Sequence, residues 1–104
     1  MNTWTVFQAY ETMFKYLVSL WEKDEEKYDD LPNMLGDMQL LSDAYPADQA
    51  CWAIWLESIP GETPDTLNSE EAFAAMLRFL RTQPFKEIVQ LADEIERAGN
   101  PFDE

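Results

Sequence analysis

Apolar residues recur at three- and four-residue steps along most of the chain, which is the spacing of one helical face. The longest series runs from Phe7 to Trp21 and predicts a first helix over about residues 6–23. Thr5 and Gln8 form the sequence pattern of a capping box at its start. A run of charged residues from Glu22 to Asp30 predicts where this helix ends.

Four shorter helices follow from the same spacing. Their first turns are predicted at Asp30 or Leu31 with Pro32, at Pro46, at Ser69 as a cap, and at Pro84 with Phe85. The apolar residues predicted to face the core are Leu31, Met34, Leu35, Met38, Trp52, Trp55, Leu56, Ile59, Phe73, Met76, Leu77, Leu80, Phe85, Ile88, Val89, Ala92 and Ile95.

No stretch alternates with period two for long enough to predict a strand. The predicted fold is therefore all-α: a compact bundle of about five helices in one domain spanning residues 1–104. Gly36 lies inside the second helix, where glycine costs about 1 kcal/mol relative to alanine. It predicts either the close approach of a neighbour or a helix end. Gly99, followed by Pro101, predicts the end of the fifth helix.

The charge of the chain limits its function. Its 21 Asp and Glu against 7 Lys and Arg give a net charge of −14, and there is no histidine. Direct binding of nucleic acid is excluded, because it needs clustered cations, and anionic membranes are disfavoured for the same reason. Many enzyme mechanisms lose their commonest general base.

Compartment is predicted from three observations. Cys51 is the single cysteine, so no disulfide forms within the chain. No signal peptide is visible at the N-terminus, and the longest apolar run, Ala50 to Leu56, is too short to span a bilayer. We expect a soluble cytoplasmic protein with Cys51 as a buried structural thiol.

The many carboxylates raise the question of a metal site. The calcium-loop pattern of alternating acids, a central glycine and a closing glutamate is absent, and di-iron bundles need histidine. We therefore predict no catalytic residues, no metal and no cofactor. An enzyme that uses carboxylates and a metal stays open as an alternative.

The net charge also exceeds the magnitude of about 2–8 that keeps a small domain soluble. A basic protein partner would compensate for the resulting self-repulsion, and an acidic surface steers such a partner towards it.

The middle of the chain, about residues 31–58, resembles a known type of small acidic bacterial protein. The residues concerned are Met34-Leu35-Gly36-Asp37-Met38, Pro46-Ala47-Asp48, and Trp52 with Trp55-Leu56-Glu57. They are similar to the immunity proteins of contact-dependent growth inhibition systems. The resemblance implies a monomer that binds one cognate toxin domain, often a nuclease, and blocks it in the cytoplasm.

We expect the partner-binding residues around the two ends of the second helix: Asp24, Glu25, Glu26, Tyr28, Asp29, Asp30, Asp37, Asp43, Tyr45 and Asp48. Tyr28 and Tyr45 are the predicted aromatic anchors. The loop from Glu62 to Glu71 is a second candidate surface, and one of Trp52 and Trp55 is a further candidate anchor. An adaptor or regulatory subunit that binds a non-basic protein without inhibiting an enzyme is the alternative function.

Overall fold

Five α-helices make up most of the part of the chain that the computed structural model describes, which is residues 3–38, 49–59 and 65–103. The helices are α1 (Val6–Lys23), α2 (Leu31–Met38), α3 (Gln49–Ser58), α4 (Ser69–Arg81) and α5 (Lys86–Ala98). Short 3-10 turns lie at Glu25–Lys27 and Pro101–Asp103. The predicted all-α fold is confirmed. The radius of gyration, 12.9 Å, is that of a compact chain of this length.

Local sequence signals account for the start of α1. The Thr5 hydroxyl accepts a hydrogen bond from the Gln8 backbone N–H at 3.0 Å, and the Gln8 side chain accepts one from the Thr5 N–H at 3.0 Å. This is the predicted capping box, and α1 spans the predicted residues.

A small antiparallel sheet was not predicted. Strand β1 (Trp4–Thr5) pairs with β2 (Thr66–Leu67), with Trp4 opposite Leu67 and Thr5 opposite Thr66. Two residues are too few to show an alternating pattern, so periodicity gives no signal for them. The pairing joins the start of α1 to the segment before α4 and buries Leu67 completely.

The centre of the core is a group of aromatic rings. Tyr10, Trp55 and Phe79 meet edge to face, with centroid distances of 5.9, 6.4 and 6.1 Å. The Trp55 indole N–H donates to the Val6 carbonyl at 3.1 Å, and the Tyr10 hydroxyl donates to the Met38 carbonyl at 3.1 Å. Both polar groups are thus satisfied inside the core. The predicted inner faces of all four later helices contribute buried residues.

Two details differ from the predictions, and a third decides between two predicted alternatives. Asn68, not Ser69, caps α4: its side-chain oxygen accepts the Glu71 N–H at 2.8 Å, and Glu71 accepts the Asn68 N–H at 3.0 Å. Helix α5 begins at Lys86, with Phe85 in the extended cap position. Of the two alternatives predicted for Gly36, the close approach of a neighbour is not found, because a Cβ there would meet nothing within 4 Å, whereas the helix end is near, since α2 ends at Met38.

Gly99 ends α5 as predicted. Its φ is +120°, and its N–H donates to the Ile95 carbonyl at 3.1 Å. The predicted break at residues 42–45, the start of the third helix at Pro46 and its stop at Pro60-Gly61 lie outside the described residues. Within the described ranges, no helix has the length and apolar character needed to cross a membrane.

Candidate functional site

Residues 24–30, which we call the acidic segment, connect α1 to α2. The side chains of Asp24, Glu25, Glu26 and Asp29 are exposed, and Asp30 is half-buried. The backbone turns through the 3-10 helix, where the Lys27 N–H donates to the Asp24 carbonyl at 3.1 Å. Exposed carboxylates therefore lie close together on a short, turned stretch of backbone.

A glutamate from α5 fixes the second half of this segment. One carboxylate oxygen of Glu87, Oε1, accepts the Asp29 N–H, and the other, Oε2, accepts the N–H groups of Asp30 and Leu31, all at 2.8 Å. The first N–H groups of a helix have no partner within the helix, so Glu87 supplies the cap of α2 from a distant part of the chain. Its negative charge also complements the positive end of the α2 dipole.

The environment of Glu87 changes its ionisation. Burial on its own would raise the pKa of Glu87, but the hydrogen bonds from Asp29, Asp30 and Leu31 outweigh it, so that the pKa lies below its ordinary value. The carboxylate is thus ionised, and able to accept three N–H groups, across the physiological pH range.

A second tie joins the acidic segment to α5. The Lys27 ammonium lies 3.5 Å from the Glu94 carboxylate and 5.3 Å from the centre of the Tyr28 ring. Tyr28 and Glu94 both raise the pKa of Lys27. This lysine is directed towards α5, so its charge is paired outside the acidic segment.

Tyr28 differs from its predicted role. It is only 8% exposed and belongs to the hydrophobic core. Most of its ring is therefore used to hold the acidic segment onto the bundle, which leaves little of it for a partner. Trp21 is half-buried and lies next to this segment, where its backbone carbonyl accepts the Asp24 N–H at 3.2 Å.

A groove of about 390 Å³ lies between the acidic segment and α5. Its lining residues are Lys27, Tyr28, Asp30, Lys86, Glu87, Gln90, Leu91 and Glu94. Three carboxylates and two ammonium groups give it nearly balanced charge, and it contains no hydroxyl or thiol nucleophile besides the buried tyrosine. The groove therefore presents charged groups of both signs to any molecule that enters it.

The structure places the other predicted residues apart from this segment or does not describe them. Asp37 is exposed near the end of α2, about 9 Å along the helix axis from Leu31. Asp43, Tyr45 and Asp48 lie outside the described residues. In the second candidate surface, residues 62–64 lie outside the described residues, Asp65 and Glu70 are exposed, and the Glu71 carboxylate accepts the N–H of Asn68, the cap of α4.

The choice between the two tryptophans of α3 is resolved. Trp55 is fully buried, whereas Trp52 is half-buried and packs against Phe7 at 6.4 Å and Tyr10 at 5.5 Å. Of the two tryptophans, only Trp52 therefore has part of its side chain exposed to solvent. Phe7 is close to the opposite end of α1 from the acidic segment, about 24 Å along the axis, so the two features are separate. Cys51 is buried, as expected for a structural thiol.

The described side chains contain no group of three or more His, Cys, Asp or Glu residues arranged to hold a metal ion. No protein-family model, no curated protein and no solved structure matches this chain. The resemblance to immunity proteins therefore stays a prediction based on the residues quoted above.

Sequence reasoning missed Glu87. The sequence pattern assigns no role to this residue of the first turn of α5, because its three donors lie 56–58 residues earlier in the chain. One signal was available: Tyr28 is a lone aromatic residue in a charged run, and its burial brings that run against α5.

Proposed function

We propose that this chain is an immunity protein that binds a basic nuclease toxin domain and covers its active site with the acidic segment. The supporting observation is that Asp24, Glu25, Glu26 and Asp29 are exposed on the acidic segment, and that Glu87 fixes the second half of this segment to the bundle. Nucleases bind phosphates with lysine and arginine, so carboxylates held in fixed positions can occupy the same cations. We place the complex in the cytoplasm, with one copy of each chain.

The charge balance of the acidic segment supports this proposal. Residues 24–30 contain five acidic side chains and one lysine, and that lysine contacts Glu94 on α5. The five carboxylates are therefore not neutralised by the segment's own cation. Such a surface raises the association rate with a basic protein by about 10–1,000-fold at low salt.

Charge alone does not give the affinity that immunity needs. Exposed ion pairs contribute less than about 1 kcal/mol each, whereas a nanomolar complex needs about 12 kcal/mol. Aromatic anchors supply much of the difference in other interfaces. Because Tyr28 is buried, we assign this role to Trp21, which is half-buried and three residues before Asp24.

The proposal predicts that a toxin domain is encoded next to this chain's own gene, and its test is a binding titration with that domain after purification. We compare the wild type with Asp29→Lys and Glu57→Lys. Both residues are exposed, neither forms an ion pair among the described residues, and each variant changes the net charge equally. Asp93 and Glu94 are poorer controls, because they pair with Arg81 and Lys27.

We expect Asp29→Lys to weaken binding by about tenfold or more, and Glu57→Lys to change it much less. Wild-type binding should also weaken as salt is raised from about 0.05 to 0.5 M, because salt screens exposed charges. Equal effects of the two variants would show that only net charge matters. Binding that is indifferent to salt would instead favour the adaptor function.

A further inference from the structure

We propose that Glu87 is the positioning residue of the partner-binding surface: it holds the acidic segment in its binding conformation before the partner arrives. The inference rests on the proposed function, since it requires a partner that binds the acidic segment. It adds that affinity depends on a residue that need not touch the partner.

The geometry gives Glu87 an unusual degree of control over this surface. Three consecutive N–H groups, those of Asp29, Asp30 and Leu31, converge on its two oxygens at 2.8 Å. Two of these donors belong to residues whose own carboxylates form the surface. The direction of the Asp29 and Asp30 side chains is therefore set by a carboxylate on another helix.

Fixing this backbone matters because of the repulsion within the segment. Like charges that are free to move separate, and a partner that gathers them again loses conformational freedom as it binds. Hydrogen bonds to Glu87 and the core contacts of Tyr28 hold the chain in place before binding. Removing the Glu87 contribution leaves every surface carboxylate present but less ordered.

Glu87→Gln tests this with little change in shape. An amide has one acceptor oxygen and an NH₂ group, so it cannot accept hydrogen bonds at both positions that the carboxylate uses. In the variant, the NH₂ group of the new side chain would face either the Asp29 N–H or the N–H groups of Asp30 and Leu31, and those hydrogen bonds would be lost. The released N–H groups should exchange with solvent faster than in the wild type.

Two control variants separate positioning from charge and from stability. Glu57→Gln removes one negative charge at an exposed residue of α3 that forms no ion pair among the described residues. Ile88→Val lowers stability from a buried position next to Glu87 without removing a hydrogen bond to the segment. All variants are compared well below their unfolding temperatures.

The experiment measures amide exchange in the free proteins and affinity for the toxin domain encoded beside the gene. We expect Glu87→Gln to speed exchange at Asp29, Asp30 and Leu31 and to weaken affinity by about tenfold. The slope of log Kd against log salt should match that of Glu57→Gln, because both variants lose one charge. Both controls should stay close to the wild-type affinity.

Two results would overturn the inference in distinguishable ways. If the wild type binds but Glu87→Gln binds as well as Glu57→Gln, positioning by Glu87 is wrong while the proposed function stands. If the wild type does not bind the domain at all, the proposed function fails, and this inference fails with it.

Discussion

The carboxylate of Glu87 on α5 lies 2.8 Å from the backbone N–H of Leu31 at the start of α2, although 56 residues separate them in the chain. The same carboxylate accepts the N–H groups of Asp29 and Asp30. One acidic side chain thus fixes the second half of the acidic segment, where Asp29 is exposed and Asp30 is half-buried. The contact connects the stability of the fold to the shape of the proposed binding surface.

Glu87 should therefore make stability depend on pH. Its pKa is lower in the folded chain than its ordinary value of 4.5. A carboxyl group whose pKa is lowered by folding stabilises above its unfolded pKa, and this contribution disappears as pH falls through the folded pKa. Glu87→Gln should lower the free energy of unfolding by about 1–3 kcal/mol near neutral pH.

Urea denaturation of both proteins at several pH values measures this difference. The difference in unfolding free energy between wild type and Glu87→Gln should become smaller as the solution is acidified from about pH 6 to pH 3. A gap that stays constant over this range would show that ionisation of Glu87 is not what stabilises the turn.

The two tryptophans of α3 should respond differently to the same substitution. Trp55→Phe removes buried volume and leaves the Val6 carbonyl without its indole donor, so it should cost about 2–3 kcal/mol of unfolding free energy. Trp52→Phe, at a half-buried position, should cost about 1 kcal/mol or less. Chemical denaturation compares the two, and equal losses would contradict the burial described here.

The cap of α4 gives a matched pair of polar substitutions. Asn68→Ala removes the acceptor of the Glu71 N–H and should destabilise by about 1 kcal/mol. Ser69→Ala, in the first helical position, should change the free energy of unfolding by about 0.5 kcal/mol at most. Thermal unfolding of the two variants shows which residue caps α4. A larger loss of stability for Ser69→Ala than for Asn68→Ala would indicate that Ser69 is the cap.

Two glycines should show opposite effects when replaced by alanine. Gly36→Ala should stabilise by about 0.5–1 kcal/mol, because the position is helical, exposed and open around the new Cβ. Gly99→Ala should destabilise by about 1–2 kcal/mol, because a φ of +120° is strained for any side chain with a Cβ. Denaturation midpoints show whether each variant is more or less stable than the wild type. A loss of stability in Gly36→Ala would indicate a neighbour close to that position.

The fold was largely predictable because its signals are local. The capping box of Thr5 and Gln8 and the apolar series of α1 lie within single turns of one helix, so spacing alone defines them. The sequence pattern places the cap of α4 at Ser69, but Asn68 is an equally good cap residue, so residue type alone does not distinguish them. The extended backbone at Asn68 follows β2, and the pairing of β2 with β1 is a long-range contact.

The candidate site was predictable only in part. The exposure of its acidic residues could be predicted from the charge of residues 24–30. The burial of Tyr28 could not, because a single aromatic residue forms no periodic pattern. Glu87 could not be found from spacing, since its hydrogen bonds depend on how α5 packs against the rest of the chain. Periodicity identifies elements, whereas the contacts that fix this surface form only between them.

The most direct test of the proposed function is an inhibition assay with the toxin domain encoded beside this chain's gene. Cleavage of RNA and DNA by that domain is measured as wild type, Asp29→Lys or Glu57→Lys is added in equal amounts. The account predicts that wild type and Glu57→Lys stop cleavage at a one-to-one ratio, and that Asp29→Lys does so only in excess. Cleavage that continues at full rate in the presence of wild type would contradict it.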